Sequence, residues 1–217
     1  MDQIKSMQRV ADHGEVFTSE REVNDMLDLV KQETERIDSH FLEPACGNGN
    51  FLIEVLRRKM EVVLKDYRQS QYECEKYLVV AVGSIYGIDL LEDNIQECRS
   101  RLFDLFQKRY RQSCKSYCSE QFESVISFIL EKNVVCGDAL TMKDLYGEPI
   151  MFSEWSVFKN LEIKRRVFSF SELLETRGKQ TSIFDAGWTA KEKKAQFVPN
   201  PVKDYPAVHY MELINYD

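Results

Sequence analysis

Histidine, proline and glycine are scarce, with 3, 5 and 9 copies among 217 residues. So little glycine and proline excludes collagen-like and low-complexity chains. The 43% hydrophobic and 30% charged content is that of a globular protein, and a chain of this size buries about 70% of its unfolded surface without needing a staple. Its six cysteines (Cys46, Cys74, Cys98, Cys114, Cys118, Cys136) contain no CxxC pair, and His13, His40 and His209 stand far from them. The expectation is therefore reduced thiols, an intracellular protein and no metal site. Long apolar runs are missing too. The N-terminal MDQIKSMQRVADHGE holds no signal core, and the longest nearly apolar stretch, Tyr77 to Ile88, is too short to cross a bilayer. That predicts a cytoplasmic protein with no membrane partner. A surplus of positive charge is also absent: 29 Lys+Arg stand against 36 Asp+Glu, a net charge of −7. Neutralising phosphates supplies most non-specific nucleic-acid affinity, so this chain is not expected to grip DNA unaided.

What is present is a regular alternation of patterns. Ser19 and Glu22 form a capping-box pair ahead of Val23, Met26, Leu27 and Val30, which predicts one helix over residues 19–36. A strand from His40 to Ala45 runs into a glycine turn, and Phe51, Leu52, Val55, Leu56, Met60, Val63 and Leu64 then mark one face of a long helix. Ser84 to Asp89 reads as a second buried strand, after which Asp93 or Asn94 can cap a helix carrying Ile95, Cys98, Leu102, Leu105 and Phe106. Phe122, Val125, Ile126 and Ile129 mark a further helix, and Asn133 to Cys136 a third strand closed by Gly137 and Asp138. This alternation predicts an α/β fold, Rossmann-like and doubly wound, with a mainly parallel sheet and an N-terminal helix. Beyond Thr141, aromatic residues are scattered among basic ones. That texture predicts a β-hairpin, a short helix at Glu172 to Thr176 and an extended, proline-punctuated tail from Lys191. The expected division is a domain over 1–150 and an appendage over 151–217 packing on it.

The most informative string is Phe41-Leu42-Glu43-Pro44-Ala45-Cys46-Gly47-Asn48-Gly49-Asn50-Phe51. Glycines at a strand-to-helix turn let backbone approach a ligand, and the helix start beyond them offers free N–H groups. Taken alone, the pair fits a bare tight turn or a nucleotide-cofactor site of any kind. A dinucleotide fingerprint needs a third glycine where Leu52 stands, and an acid about 20 residues on, whereas Asp89 lies much further away.

The whole string resembles the motif of S-adenosylmethionine-dependent DNA methyltransferases that modify the adenine exocyclic amine, particularly those of restriction-modification systems. Upstream, Gly14-Glu15-Val16-Phe17-Thr18-Ser19 is similar to their GxxFTP segment, with Ser19 in place of the proline. Downstream, Tyr86-Gly87-Ile88-Asp89 and Gly137-Asp138-Ala139-Leu140 are similar to their second-strand acid and third-strand GDAL segments. The resemblance covers residues 13 to 140 and implies a class I methyltransferase fold and S-adenosylmethionine as cofactor. It implies that Glu43 receives the methionine ammonium, that Pro44, Ala45, Gly47, Gly49 and Asn50 shape the cofactor's bed, and that Asp89 accepts the ribose hydroxyls. Leu90 and Ala139 would flank the adenine, Asp138 would accept its amine, and Phe17 and Thr18 would close the pocket. Two plainer roles stay open: Glu43 as a solvated strand end, and Asp138 as a helix cap.

One part of the pattern is missing. These enzymes place (Asn/Asp)-Pro-Pro-(Tyr/Phe) beside the flipped adenine, where positioned acceptors draw on its N–H groups. No such string occurs in the chain; Asn200-Pro201-Val202 lacks the second proline, and Phe152-Ser153-Glu154-Trp155 lacks both. The catalytic residues are thus not assigned. The expectation is a site-specific DNA adenine methyltransferase, incomplete alone, with a second protein subunit supplying the catalytic loop and the target recognition. A non-catalytic cofactor-binding or interaction module of a restriction-modification system is the first alternative, and a small-molecule or protein methyltransferase the second.

Overall fold

A computed structural model describes residues 5–158, 162–177 and 200–216. Local capping sets the first elements. Ser6 accepts from the Arg9 N–H to start α1 (Met7–His13), which ends on Gly14 in the left-handed region. Ser19 and Glu22 form the full reciprocal capping box of α2 (Glu20–Asp28). The single helix expected over 19–36 is broken: α2 stops at Asp28 and α3 covers Lys31–Glu35. The reason is burial, because Val23 and Leu27 are in the core while Met26, Leu29 and Val30 face solvent. An apolar stripe of two residues cannot hold a longer helix against its neighbour.

Three strands then make a parallel sheet in the order β1-β2-β3: Phe41–Glu43, Ile85–Asp89 and Val134–Cys136. Their register pairs Glu43 with Gly87 and Asp89 with Cys136, so the acids lie toward one end of the sheet. Between β1 and β2 run α4 (Asn50–Tyr67) and α5 (Gln71–Gly83); between β2 and β3 run α6 (Glu92–Ser113) and α7 (Glu120–Asn133). On α4, Leu52, Val55, Leu56, Met60 and Val63 are all buried, the face expected from their spacing. Gly87 is required here, since a Cβ would come within 2.8 Å of Leu52 and 3.0 Å of Cys46. The strand order runs one way, and the reversal that would make a sheet doubly wound is not found among the described residues. Helix α6 also departs from expectation: it begins at Glu92 with Leu91 as its uncapped start, and Asp93 and Asn94 sit inside the first turn. There they hold Arg9 and Lys5 instead of the helix amides.

A second, antiparallel sheet follows. Strands β4 (Met151–Val157) and β5 (Glu162–Ser169) form a long hairpin, and α8 (Phe170–Arg177) follows it. Strands β6 (Lys203–Asp204) and β7 (Val208–His209) pair with β5, and a 3-10 turn (Tyr210–Asn215) ends the described chain. The start of the expected tail, 191–199, lies outside the described residues. Phe152 of the hairpin, with Ile150 before it and Phe170 after it, packs on Tyr86 and Ile88 of β2. Trp155 is buried, and its Nε1 donates to Asn133 Oδ1 at 3.0 Å. Trp155, Ile163, Val208 and Tyr210 belong to the same buried cluster as Leu56, Leu78 and Phe106. No helix among the described residues is long and apolar enough to cross a membrane.

Two buried polar groups fasten the parts together. Glu75 on α5 accepts hydrogen bonds from Tyr110 Oη on α6 and Tyr210 Oη of the tail, each at 2.7 Å. Lys59 on α4 is fully buried and donates to the backbone oxygens of Ile37 and Ser39 and to Ser84 Oγ, joining the approach to β1 to the approach to β2. Burial pushes the Lys59 amine down to about 7.

Candidate functional site

Sharp turns follow the ends of all three parallel strands, and a cleft of about 510 Å³ opens among them. This is where ligands bind in open parallel sheets. After β1 the chain turns through Gly47 (φ 51°) and Gly49 (φ 90°), backbone that other residues rarely adopt. A Cβ at Gly47 would come within 2.9 Å of the Phe17 ring, which closes over the turn. Gly49 serves packing instead. Its missing Cβ lets Cys98 of α6 approach, it starts α4, and it does not line the cleft.

Every other expected site residue does line it. Glu43, Pro44, Ala45, Gly47 and Asn50 come from the β1 turn, Asp89 and Leu90 from the end of β2, Asp138 and Ala139 from the turn after β3. Phe17 and Thr18 arrive from the segment between α1 and α2. Asn50 locks that segment in place: its Nδ2 donates to Thr18 O at 2.9 Å while its Oδ1 accepts from Arg101 at 3.0 Å. Pro44 and Ala45 are exposed at the rim, whereas Phe17 is buried.

The acids differ in their surroundings. Glu43 is largely enclosed, and that burial raises its carboxyl above the usual range, partly offset by the Ala45 N–H it accepts. Asp89 accepts three hydrogen bonds: from Gly47 N at 2.9 Å, Leu91 N at 3.0 Å and Asn94 Nδ2 at 3.1 Å. It thereby ties the glycine turn of β1 to the start of α6. Asp138 accepts from Leu140 N at 2.9 Å and Thr141 Oγ1 at 3.0 Å, which holds its carboxyl below the usual range. It is the organiser of its own turn, and its remaining lone pairs are the ones a ligand can use.

Residues not expected from the sequence also face the cleft, among them Glu15, Cys46, Asn48 and Asn94. In the sequence Asn94 has the look of a helix cap, and Glu15 stands inside the GxxFTP-like segment without a distinct signal. Of the strings that come nearest to a catalytic loop, Phe152–Trp155 lies in β4, and Asn200-Pro201-Val202 leads into β6. Ser153 accepts from Arg165, Glu154 pairs with Arg166, and Lys203–Asp204 is a strand. Among the described residues no group of three His, Cys, Asp or Glu side chains is arranged to hold a metal ion.

A cleft lined by three acids, by apolar Phe17, Leu90 and Ala139 and by the Gly47 turn offers acceptors for a cationic end and hydroxyls and apolar surface for a flat ring. Its volume falls in the range of small-molecule sites. No family model, curated protein or solved structure compared with the chain matches it.

Proposed function

We propose that the chain is the S-adenosylmethionine-binding portion of a DNA adenine methyltransferase of restriction-modification type, with a Rossmann-like sheet that is completed from outside these residues. The observation that carries this reading is the convergence of four separated segments, 14–18, 43–48 with Asn50, 89–91 and 137–140, on one cleft at the carboxyl ends of parallel strands. Far apart in the chain, these are the segments whose order and residue types carry the resemblance.

In this reading Glu43 takes the ammonium of the methionine moiety, Gly47 leaves room for its backbone, and Asp89 takes ribose hydroxyl. Leu90 and Ala139 sandwich the adenine ring, whose amine reaches Asp138. When bound, the cofactor supplies the activated methyl group; the chain binds and orients it. The acceptors that would draw on the target amine come from a partner. Among the described residues β1 has a neighbour on one side only, β2, so its other edge is where a further strand bearing a catalytic loop would join. DNA contact would come mainly through that partner, in keeping with the net charge of −7.

Calorimetric titration with S-adenosylhomocysteine tests the cofactor reading. The wild-type chain is expected to bind, and Gly47→Asp, which adds bulk and charge against Phe17, to weaken binding at least about tenfold. Equal affinities for the two proteins would place the ligand elsewhere. Methyl transfer to DNA is expected only when the partner is added.

A further inference from the structure

Asp89 is a crowded ligand for a ribose. An ionised carboxylate offers about four lone-pair sites, and three of those on Asp89 are taken by Gly47 N, Leu91 N and Asn94 Nδ2. A ribose presents two neighbouring hydroxyls, each seeking an acceptor. One acceptor site on Asp89 is left, so the second hydroxyl has to be met by another group.

The cleft holds one in the right place. The Glu15 side chain is 7% exposed, lines the cleft, and its Oε1 accepts from Asn94 Nδ2 at 2.6 Å. The same amide nitrogen donates to Asp89 Oδ1, so Asn94 holds the two carboxylates side by side. The far end of the amide is fixed as well, because Asn94 Oδ1 accepts from Lys5 Nζ at 2.8 Å and Arg9 Nη2 at 3.1 Å. Glu15 Oε1 also accepts from Arg9 Nη2 at 2.8 Å, and the buried Oε2 lies 2.7 Å from Arg9 Nε, so one acceptor site is left on this acid, as on Asp89. A buried acid kept ionised by a guanidinium, with one acceptor site remaining, can take one further O–H.

We propose that Glu15 and Asp89, bridged by Asn94, form a paired carboxylate clamp for the vicinal hydroxyls of the ligand's ribose, each acid accepting one O–H. This inference rests on the cofactor reading above. It also gives Arg9 and Lys5 a definite part, because they offset the charge of two adjacent acids and fasten α1 to the start of α6. There Arg9 Nη1 meets Asp93 at 2.5 Å and Lys5 meets Glu97 at 2.6 Å. The clamp is complete only while the α1 arm is seated.

The test is calorimetric titration of the full chain with S-adenosylhomocysteine and with its 2′-deoxy and 3′-deoxy ribose analogues. Glu15→Ala is expected to weaken the parent ligand about tenfold or more, the value of a hydrogen bond to a charged group. For the analogue lacking the hydroxyl that Glu15 takes, the variant and the wild type are expected to agree within about threefold. Glu15→Gln keeps the side chain's shape and carries the same comparison if the alanine variant folds poorly. Arg9→Met, which loosens the arm but keeps the acceptor, is expected to weaken all three ligands alike. If Glu15→Ala also weakens all three alike, or none, while the wild type binds the parent, the clamp is overturned and the cofactor reading stands. If the wild type binds none of the three ligands, both fall.

Discussion

Asp89 and Glu43 are both carboxylates at strand ends in one cleft, yet their surroundings assign them different work. Asp89 is organised by two backbone amides and Asn94, so its geometry is fixed before a ligand arrives. Glu43 is enclosed and accepts from Ala45 N, and burial raises its carboxyl above the ordinary value of 4.5. A cationic group needs the ionised form, which predominates above the group's own pKa. Affinity for S-adenosylmethionine is therefore expected to fall, as pH is lowered, at a higher pH than an ordinary carboxylate would give. Glu43→Gln is expected to flatten that dependence. Titrations from neutral to mildly acid pH check it, and parallel curves for the two proteins would remove Glu43 from ligand binding.

At the scale of elements, what was legible in the sequence is what local chemistry decides. The capping box at Ser19, the buried stripe of α4 and the acid ending β2 all follow from neighbours a few residues apart. The glycine turn was legible because Gly47 and Gly49 take left-handed backbone that other residues rarely adopt. What escaped depends on distant partners. Asn94 looks like a cap, but it lies inside the first turn of α6, and Arg9, from a separate helix, claims its side chain. The tail shows prolines and no sign that Lys203–Asp204 and Val208–His209 would pair with β5. Its anchor is Tyr210, whose hydroxyl reaches Glu75 across most of the chain's length. Removing that hydroxyl leaves a buried acid with one donor fewer, so Tyr210→Phe is expected to cost about 1–3 kcal/mol. Urea denaturation measures it; a loss below about 0.5 kcal/mol would mean that the tail is held by apolar packing alone.

The molecule as a whole packs its helices and hairpin about a parallel sheet, and Lys59 of α4 sits against the points where β1 and β2 begin. Its amine is pushed down to about 7 in the fold from an ordinary 10.5. Between those values the unfolded chain binds the proton more readily, so this residue makes the fold more stable as pH rises through that window and less stable toward neutrality. The slope is at most about 1.4 kcal/mol per pH unit. Lys59→Met is expected to abolish it, making the variant's deficit relative to wild type grow from neutral to alkaline pH in denaturant melts. A deficit independent of pH would show that the amine stays charged throughout. The Gly47 and Leu91 amides, by contrast, are sheltered from solvent deuterium by one side chain and not by a ladder of strands, since both donate to Asp89. Their exchange rates thus form a built-in gauge of the cleft, readable without labelling any ligand.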